Sequence, residues 1–397
     1  MAKDKKAIRL LRVTTVPISF RFFFGQTAYL RDRGFDLHAV SSPGELLARY
    51  GDQEGMTVYG IEMTRRITPF RDLAALGRLW RLVRRLRPHI VHSHTPKGGL
   101  LGMIAAWLAR VPVRIYHVHG LPSMTATGLR RMLLHFSEYV SCRLADQVLC
   151  VSHSVRQTAI SKGLCPASRI KVLLEGSSNG IDALEEFNPA RFEPGTRQEA
   201  RRQSGIPESA LVVGFVGRIV RDKGIIELTE AWKTVRRLFP QAHLLIVGPF
   251  ESDDPVPPAV RSYMESEASI HLSGTQWNTP PLFKAMDIFC LPSYREGFPI
   301  TLLEAAAMQL PIVASRIPGC VDAVIDGVTG LLVPVHDATA LAGAIQKYLQ
   351  DSQLRHSHGQ AARERVLREF RREAIWEAIH AEYLHWLCIK GIKRSEV

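Results

Sequence analysis

Several absences narrow this chain before any motif does. No run of 18 apolar residues occurs among its 397, so no membrane-spanning helix is expected. The six cysteines, at 142, 150, 165, 290, 320 and 388, form no CxxC pair. They read as reduced core residues of a cytoplasmic protein, not as a disulfide framework. Neither HExxH nor Asp-x-Asp is found, so two familiar metal-site signatures are missing. Low-complexity segments and short-period repeats are missing too. The start, Met-Ala-Lys-Asp-Lys-Lys, carries no apolar signal core, and export is not expected.

Positive charge is also lacking in one place. Residues 191–397 carry 24 Lys+Arg against 24 Asp+Glu, whereas residues 1–190 carry 27 against 14. The whole net charge of +13 therefore sits in the first half. That asymmetry suits an anionic partner such as acidic lipid or a phosphorylated acceptor. An uneven but solvated surface is the plainer reading. Charge alone, with no recognisable binding module, does not make a nucleic-acid binder.

What is present is an alternation of short apolar strands and helical stretches. Strands are expected at 8–14, 37–41, 89–93, 113–117 and 147–151, with helices at 25–33, 73–86, 100–109 and 129–144. A second series has strands at 211–216, 243–247, 270–272, 287–291 and 312–315. Its helices are 225–238, 300–308, 338–350, 351–369 and 371–387. This spacing means parallel sheets covered by helices. The pattern weakens over 175–207, where the domain joint is placed. The expected organisation is a domain at 1–190, a domain at 191–370, and a closing helix at 371–397 that packs back on the first. Two such doubly wound α/β domains would turn their strand C-terminal loops toward a shared cleft.

The second domain holds the most informative segment. Strand 287–291 runs into Pro-Ser-Tyr-Arg-Glu-Gly and then a helix beginning near Pro299, which suits a first turn because it lacks the N–H. Gly297 lets backbone approach a ligand, and the amides behind it form an anion seat at the helix start. Glu296 lies in the loop and Glu304 one and a half turns into the helix, so both carboxylates can face one pocket. Upstream, Gly217-Arg-Ile-Val-Arg-Asp-Lys-Gly224 follows a strand directly. It can aim Arg218 and Lys223 at a diphosphate, although a charged solvated turn would look similar in isolation. Phosphates in the middle and hydroxyls at both ends describe a nucleotide sugar.

These residues resemble the GT-B glycosyltransferases of the large retaining family 4. The matching text is Gly-Arg-x4-Lys-Gly at 217–224, the run at 291–299, Leu-Glu-Ala at 303–305, Pro-Ile-Val-Ala-Ser at 311–315, Pro-Gly-Cys at 318–320 and Gly-x-x-Gly-Leu-Leu-Val at 327–333. The first half matches more loosely, through 94–102 and 113–122. The likeness spans about residues 8 to 385 and is greatest to the bacterial branch building capsule, O-antigen or polyprenyl-linked oligosaccharide.

The resemblance implies roles. Arg218 and Lys223 would bind the donor diphosphate, with backbone at Gly297, Phe298, Pro299 and Ile300. Glu296 would sit near the sugar hydroxyls and anomeric region, Glu304 on the ribose, and Thr275, Gln276 and Trp277 beside the base. His119 would contact the sugar near the reacting carbon, making His119 and Glu296 the catalytic pair. Gly25 and Lys97 mark N-domain positions toward the acceptor. Family members often carry Gly-Gly after the first strand, but here 14–26 offers only Gly25. The phenylalanines of that loop would wall an acceptor or simply pack as core.

The implied reaction moves a sugar from a UDP-sugar to a glycan or lipid-linked glycan, with retention and no metal or other cofactor. The enzyme would work in the cytoplasm, peripheral to the inner membrane face. Alternatives are an epimerase or hydrolase on the same fold, and a non-catalytic nucleotide-sugar-binding partner.

Two features stand apart. His92, His94, His117 and His119 come from two segments that could be neighbours and bind zinc. Without nearby carboxylates, satisfied core or loop histidines are preferred for three of the four. Helix 71–87 should place Leu73, Leu76, Trp80, Val83 and Leu86 on the sheet. Arg71, Arg78, Arg81 and Arg85 would then face solvent or anionic headgroups.

Overall fold

The computed structural model describes residues 7–392; residues 1–6 and 393–397, which belong to the expected first domain and closing segment, lie outside the described residues. The chain divides into two compact units, Met1–Asn179 with Glu373–Val397, and Gly180–Arg372. The division thus falls ahead of the expected boundary at 190, within the segment read as the joint.

The first unit is built on seven parallel strands: β1 Ile8–Val13, β2 Phe35–Ser41, β3 Thr57–Gly60, β4 Ile90–His94, β5 Val113–Val118, β6 Gln147–Cys150 and β7 Ile170–Val172. Their order is β3-β2-β1-β4-β5-β6-β7. The helices are α1 Gln26–Arg31, α2 Glu45–Glu54, α3 Pro69–Leu86, α4 Pro96–Leu108, α5 Gly128–Leu144 and α6 His153–Ser161. Right-handed crossovers that all step the same way across the sheet put α3, α4 and α5 on one face. The apolar clusters agree, with α3 and α4 residues packed together on one side and α1 and α2 residues on the other.

The second unit holds α7 Thr196–Gln203, β8 Leu211–Val216, α8 Ile225–Leu238, β9 Ala242–Val247, α9 Pro258–Ser266, β10 Ile270–Leu272 and α10 Pro280–Ala285. It continues with β11 Ile288–Leu291, α11 Ile300–Ala307, β12 Ile312–Ser315, α12 Cys320–Ala323, β13 Gly330–Val333, α13 Ala338–Gln350 and α14 Ser352–Glu369. Strand order is β10-β9-β8-β11-β12-β13, all parallel. The order reverses between β8 and β11, which is where such sheets bind ligands. The closing helix α15, Arg372–Ile389, lies almost wholly in the first unit. Its Trp376 indole donates to Asn179 Oδ1 at 2.7 Å, and its Tyr383 hydroxyl lies 2.7 Å from His92 Nδ1.

Several elements escaped the sequence reading: α2, β3, α6, β7, α7, α9, α10, α12 and β13. Most are short or polar, and β3 is an edge strand with no buried residue, so hydrophobic periodicity had little to register. Helix α3 corrects the expected stripe. Its buried residues are Ala75, Leu79 and Val83, with Leu76, Trp80 and Leu86 only partly covered. Leu73 is exposed. Leu73 lies two positions before Ala75 and six before Leu79, so helical spacing turns it away from the packed stripe. Of the cysteines, five are buried and Cys388 is exposed; none forms a disulfide.

Candidate active site

Around the switch point of the second sheet, glycine decides how closely the loops approach. Gly224 has φ +68°, and a Cβ there would lie 2.0 Å from the carbonyl oxygen of Pro292. Only glycine allows that approach. It ties the loop after β8 to the loop after β11, and other bonds reinforce the tie. Tyr294 N donates to Asp222 O at 2.9 Å, and Arg295 Nη2 to Asp222 Oδ2 at 2.6 Å. Gly319 makes a similar approach, since its Cβ would fall 2.4 Å from Gly297 O.

On this frame Lys223 Nζ lies 2.5 Å from Glu296 Oε1, with side-chain exposures of 19% and 11%. Arg218 Nη1 reaches Glu251 Oε2 at 2.8 Å and remains half exposed. Each cation thus has a carboxylate partner. Desolvating a lone charge is costly, so the partners hold both cations in place.

Helix α11 starts directly after Pro299, with no side-chain cap and no acidic residue in its first turn. Its opening amides lack intrahelical acceptors, and the helix dipole favours negative charge there. Glu304 is buried in the second turn. Phe298 packs on Phe370, with ring centroids 5.4 Å apart. Thr275, Gln276 and Trp277 form an exposed loop after β10, held in part by Gln276 Nε2 donating to Ser273 O at 2.8 Å. The second unit therefore gathers Arg218, Lys223, Glu296, Gly297 and the start of α11 at one sheet edge. Glu251 and the Tyr294–Glu227 bond of 2.5 Å were missed by sequence reasoning, because no spacing rule links residues so far apart.

In the first unit, His119 follows β5. Its Nε2 is 2.8 Å from His94 Nδ1, and its ring stacks on Phe22 with centroids 4.0 Å apart and planes at 14°. Burial, then the neighbouring His117, holds its pKa well below the usual histidine value, so the imidazole is neutral. The phenylalanine loop therefore divides its work. Phe20 and Phe23 are core, while Phe22 backs His119.

Gly25 has φ +81°, its amide donates to Glu54 Oε1 at 2.9 Å, and a Cβ would meet Trp376 at 3.1 Å. Lys97 is clamped to Asp72 Oδ1 at 2.7 Å, joining the starts of α3 and α4.

The histidines do converge. His92, His94 and His117 each offer a nitrogen within 4.8 Å of the others, the only such metal-capable group among the described residues. His92 Nε2, His94 Nε2 and His117 Nδ1 are buried without protein partners. No carboxylate joins the group, and the buried Arg12 guanidinium depresses the histidine pKa values further. That cation opposes a dication in the same pocket.

Two parallel sheets covered by helices, with two paired cations at the switch point of the second, define the α/β class of the protein, and sequence comparison makes the family specific. The pattern described as Glycosyl transferases group 1 matches residues 196–365, and Glycosyl transferase 4-like domain matches 22–176. The chain is 32% identical over 375 residues to the capsular polysaccharide biosynthesis glycosyltransferase CapM of Staphylococcus aureus, covering 94% of this chain and 96% of that protein. It is 27% identical over 360 residues to an Escherichia coli UDP-Gal:alpha-D-GlcNAc-diphosphoundecaprenol alpha-1,3-galactosyltransferase, covering 89% and 91%. Among solved structures, Anabaena HepE in complex with UDP-glucose superposes with a TM-score of 0.78 at 22% identity, covering 95% of this chain and 99% of that one. The chain belongs to glycosyltransferase family 4, has the GT-B fold class, and is a hexosyl-transferring enzyme.

Proposed function

We propose that the enzyme transfers a sugar from a UDP-sugar to a hydroxyl of a glycan carried on a polyprenyl diphosphate, in surface polysaccharide synthesis. The observation that carries this is the Lys223–Glu296 pair beside the uncapped start of α11, with Arg218 on the neighbouring loop. A diphosphate takes Arg218, Lys223 and the helix amides together, and these groups stabilise the charge that develops as the sugar leaves. The name of the diphosphoundecaprenol galactosyltransferase supports both the acceptor class and the uridine donor, and the name of CapM supports surface polysaccharide synthesis.

No side chain need attack the sugar. The departing phosphate takes the acceptor proton while the new bond forms on the same face, giving retention. Glu304 holds the ribose, Thr275, Gln276 and Trp277 border the base, and the neutral His119 contacts the sugar. Cations and helix amides occupy the role a metal has elsewhere, so no cofactor is needed. Work on such an acceptor places the enzyme at the inner face of the membrane.

A nucleotide-sugar screen by thermal shift, followed by mass spectrometry of lipid extracts incubated with the stabilising donor, tests the reading. Stabilisation by a UDP-sugar and one added hexose on a polyprenyl-linked glycan are expected. Donor breakdown without any glycosylated lipid would instead indicate a hydrolase.

A further inference from the structure

Helix α5 is built inside out. Its buried residues are Glu138, Ser141 and Cys142, whereas five of its large apolar side chains face away from the protein. Leu129, Met132 and Phe136 are 69%, 67% and 64% exposed, and Leu133 and Tyr139 are each 43% exposed. These positions recur every three or four residues, so they form one stripe. Met132, Phe136 and Tyr139, with Arg131 and His135, line a recess of about 430 Å³. Contiguous exposed apolar surface of this kind marks an interaction site.

The polar side of α5 needs no such partner. Tyr116 Oη donates to Glu138 Oε2 at 2.7 Å inside the unit, so the helix is anchored by its buried acid.

We infer that this stripe is where the enzyme seats in an anionic lipid interface, an inference that rests on the lipid-linked acceptor proposed above. Charge selects this occupant. The exposed surface of α5 carries Arg130, Arg131 and Arg143 and no acidic residue, because its one acid, Glu138, is buried. A second copy docking the same stripe would bring arginines against arginines with nothing to neutralise them. An apolar stripe flanked by arginines matches the boundary between acyl chains and acidic headgroups.

A second surface lies beyond α4, on the same face of the sheet. At the start of α3, Phe70 is 90% and Leu73 68% exposed, beside exposed Arg65, Arg66 and Arg71. Helices that follow parallel strands begin at the carboxyl edge of the sheet, so the starts of α3 and α5 share that edge. The apolar contact is thus on α5 and the start of α3. Arg78, Arg81 and Arg85 lie further along α3 and add long-range attraction only.

Cosedimentation of the full chain with vesicles tests this. Vesicles of phosphatidylcholine with one-third phosphatidylglycerol are compared with phosphatidylcholine alone, at low and high salt. The variants are Leu129→Ser/Met132→Ser/Leu133→Ser/Phe136→Ser and Arg78→Gln/Arg81→Gln/Arg85→Gln. The serine variant should lose about tenfold or more of its partition to the acidic vesicles. It should retain wild-type UDP affinity by calorimetry and the wild-type melting temperature. The glutamine variant should lose only part of the salt-sensitive binding.

Equal partition of wild type and the serine variant would overturn the inference. So would wild-type protein that ignores acidic vesicles, or a wild-type dimer that the serine variant converts to monomer by light scattering. Failure of wild type to bind UDP would strike the donor reading and leave the vesicle result standing.

Discussion

Lys223 Nζ and Glu296 Oε1 lie 2.5 Å apart, although 73 residues separate them in sequence. The pair bridges the two loops at the switch point, which approach one another closely at Gly224.

Removing either cation proposed to hold the diphosphate, Arg218 or Lys223, should weaken UDP binding. Loss of a charge-assisted contact costs about 1.5–3 kcal/mol, roughly ten- to a hundredfold in Kd. Lys223→Ala should cost more than Arg218→Ala, because it leaves the nearly buried Glu296 carboxylate unpaired. Arg218→Ala leaves only the more exposed Glu251. Calorimetric titration of UDP into both variants measures the order, and unchanged affinity in both would remove them from the site.

Gly224→Ala should damage stability and donor binding together. The new methyl would sit 2.0 Å from Pro292 O at a backbone φ of +68°. The combined clash and strain should cost about 1–3 kcal/mol. A lowered melting temperature with a raised Kd for UDP is expected. A variant as stable and as tight-binding as wild type would refute the tie between the loops.

Glu304 and His119 should separate in kinetics. A ribose contact is made equally in ground and transition states, so Glu304→Gln should raise the donor KM more than it lowers kcat. His119→Ala removes the group proposed to contact the sugar where charge develops, so kcat should fall with little change in UDP affinity. Normal turnover by His119→Ala would transfer the catalytic role elsewhere.

Acid should destabilise the first unit. Burial lowers the pKa of His92, His94 and His119, and brings His117 down to about 3. The unfolded chain binds these protons near pH 6.5 and the folded chain does not, so stability is complete above 6.5 and falls as pH drops below it. One such histidine loses about 1.4 kcal/mol per pH unit in that window. Melting temperatures from pH 7.5 to 5 should therefore decline, and His117→Gln should flatten the slope. A pH-independent melt would mean these imidazoles are solvated.

Chelation should leave most activity. EDTA-treated enzyme is expected to turn over, and elemental analysis to find no stoichiometric zinc. Loss of activity with rescue by a single metal would assign His92, His94 and His117 a bound ion.

Much of this was legible in the chain itself. Strands β8, β10 and β12 and helices α8 and α13 match their expected bounds, because buried parallel strands read as continuous apolar runs and their covering helices keep a regular period. The segments at the switch point were legible for a related reason: each lies between a recognisable strand and the helix that follows it.

Other properties depended on contacts between distant segments. Sequence spacing could not show that Phe22 stacks on His119, that Lys97 is held by Asp72, or that Glu251 and Glu296 hold the two cations. Nor could periodicity show which side of a helix faces inward. The apolar stripe of α5 has the spacing of a packed face, yet the fold turns it outward and buries Glu138 against Tyr116. Local pattern fixes which residues share a face. Only the neighbours supplied by tertiary packing decide whether that face meets protein or solvent.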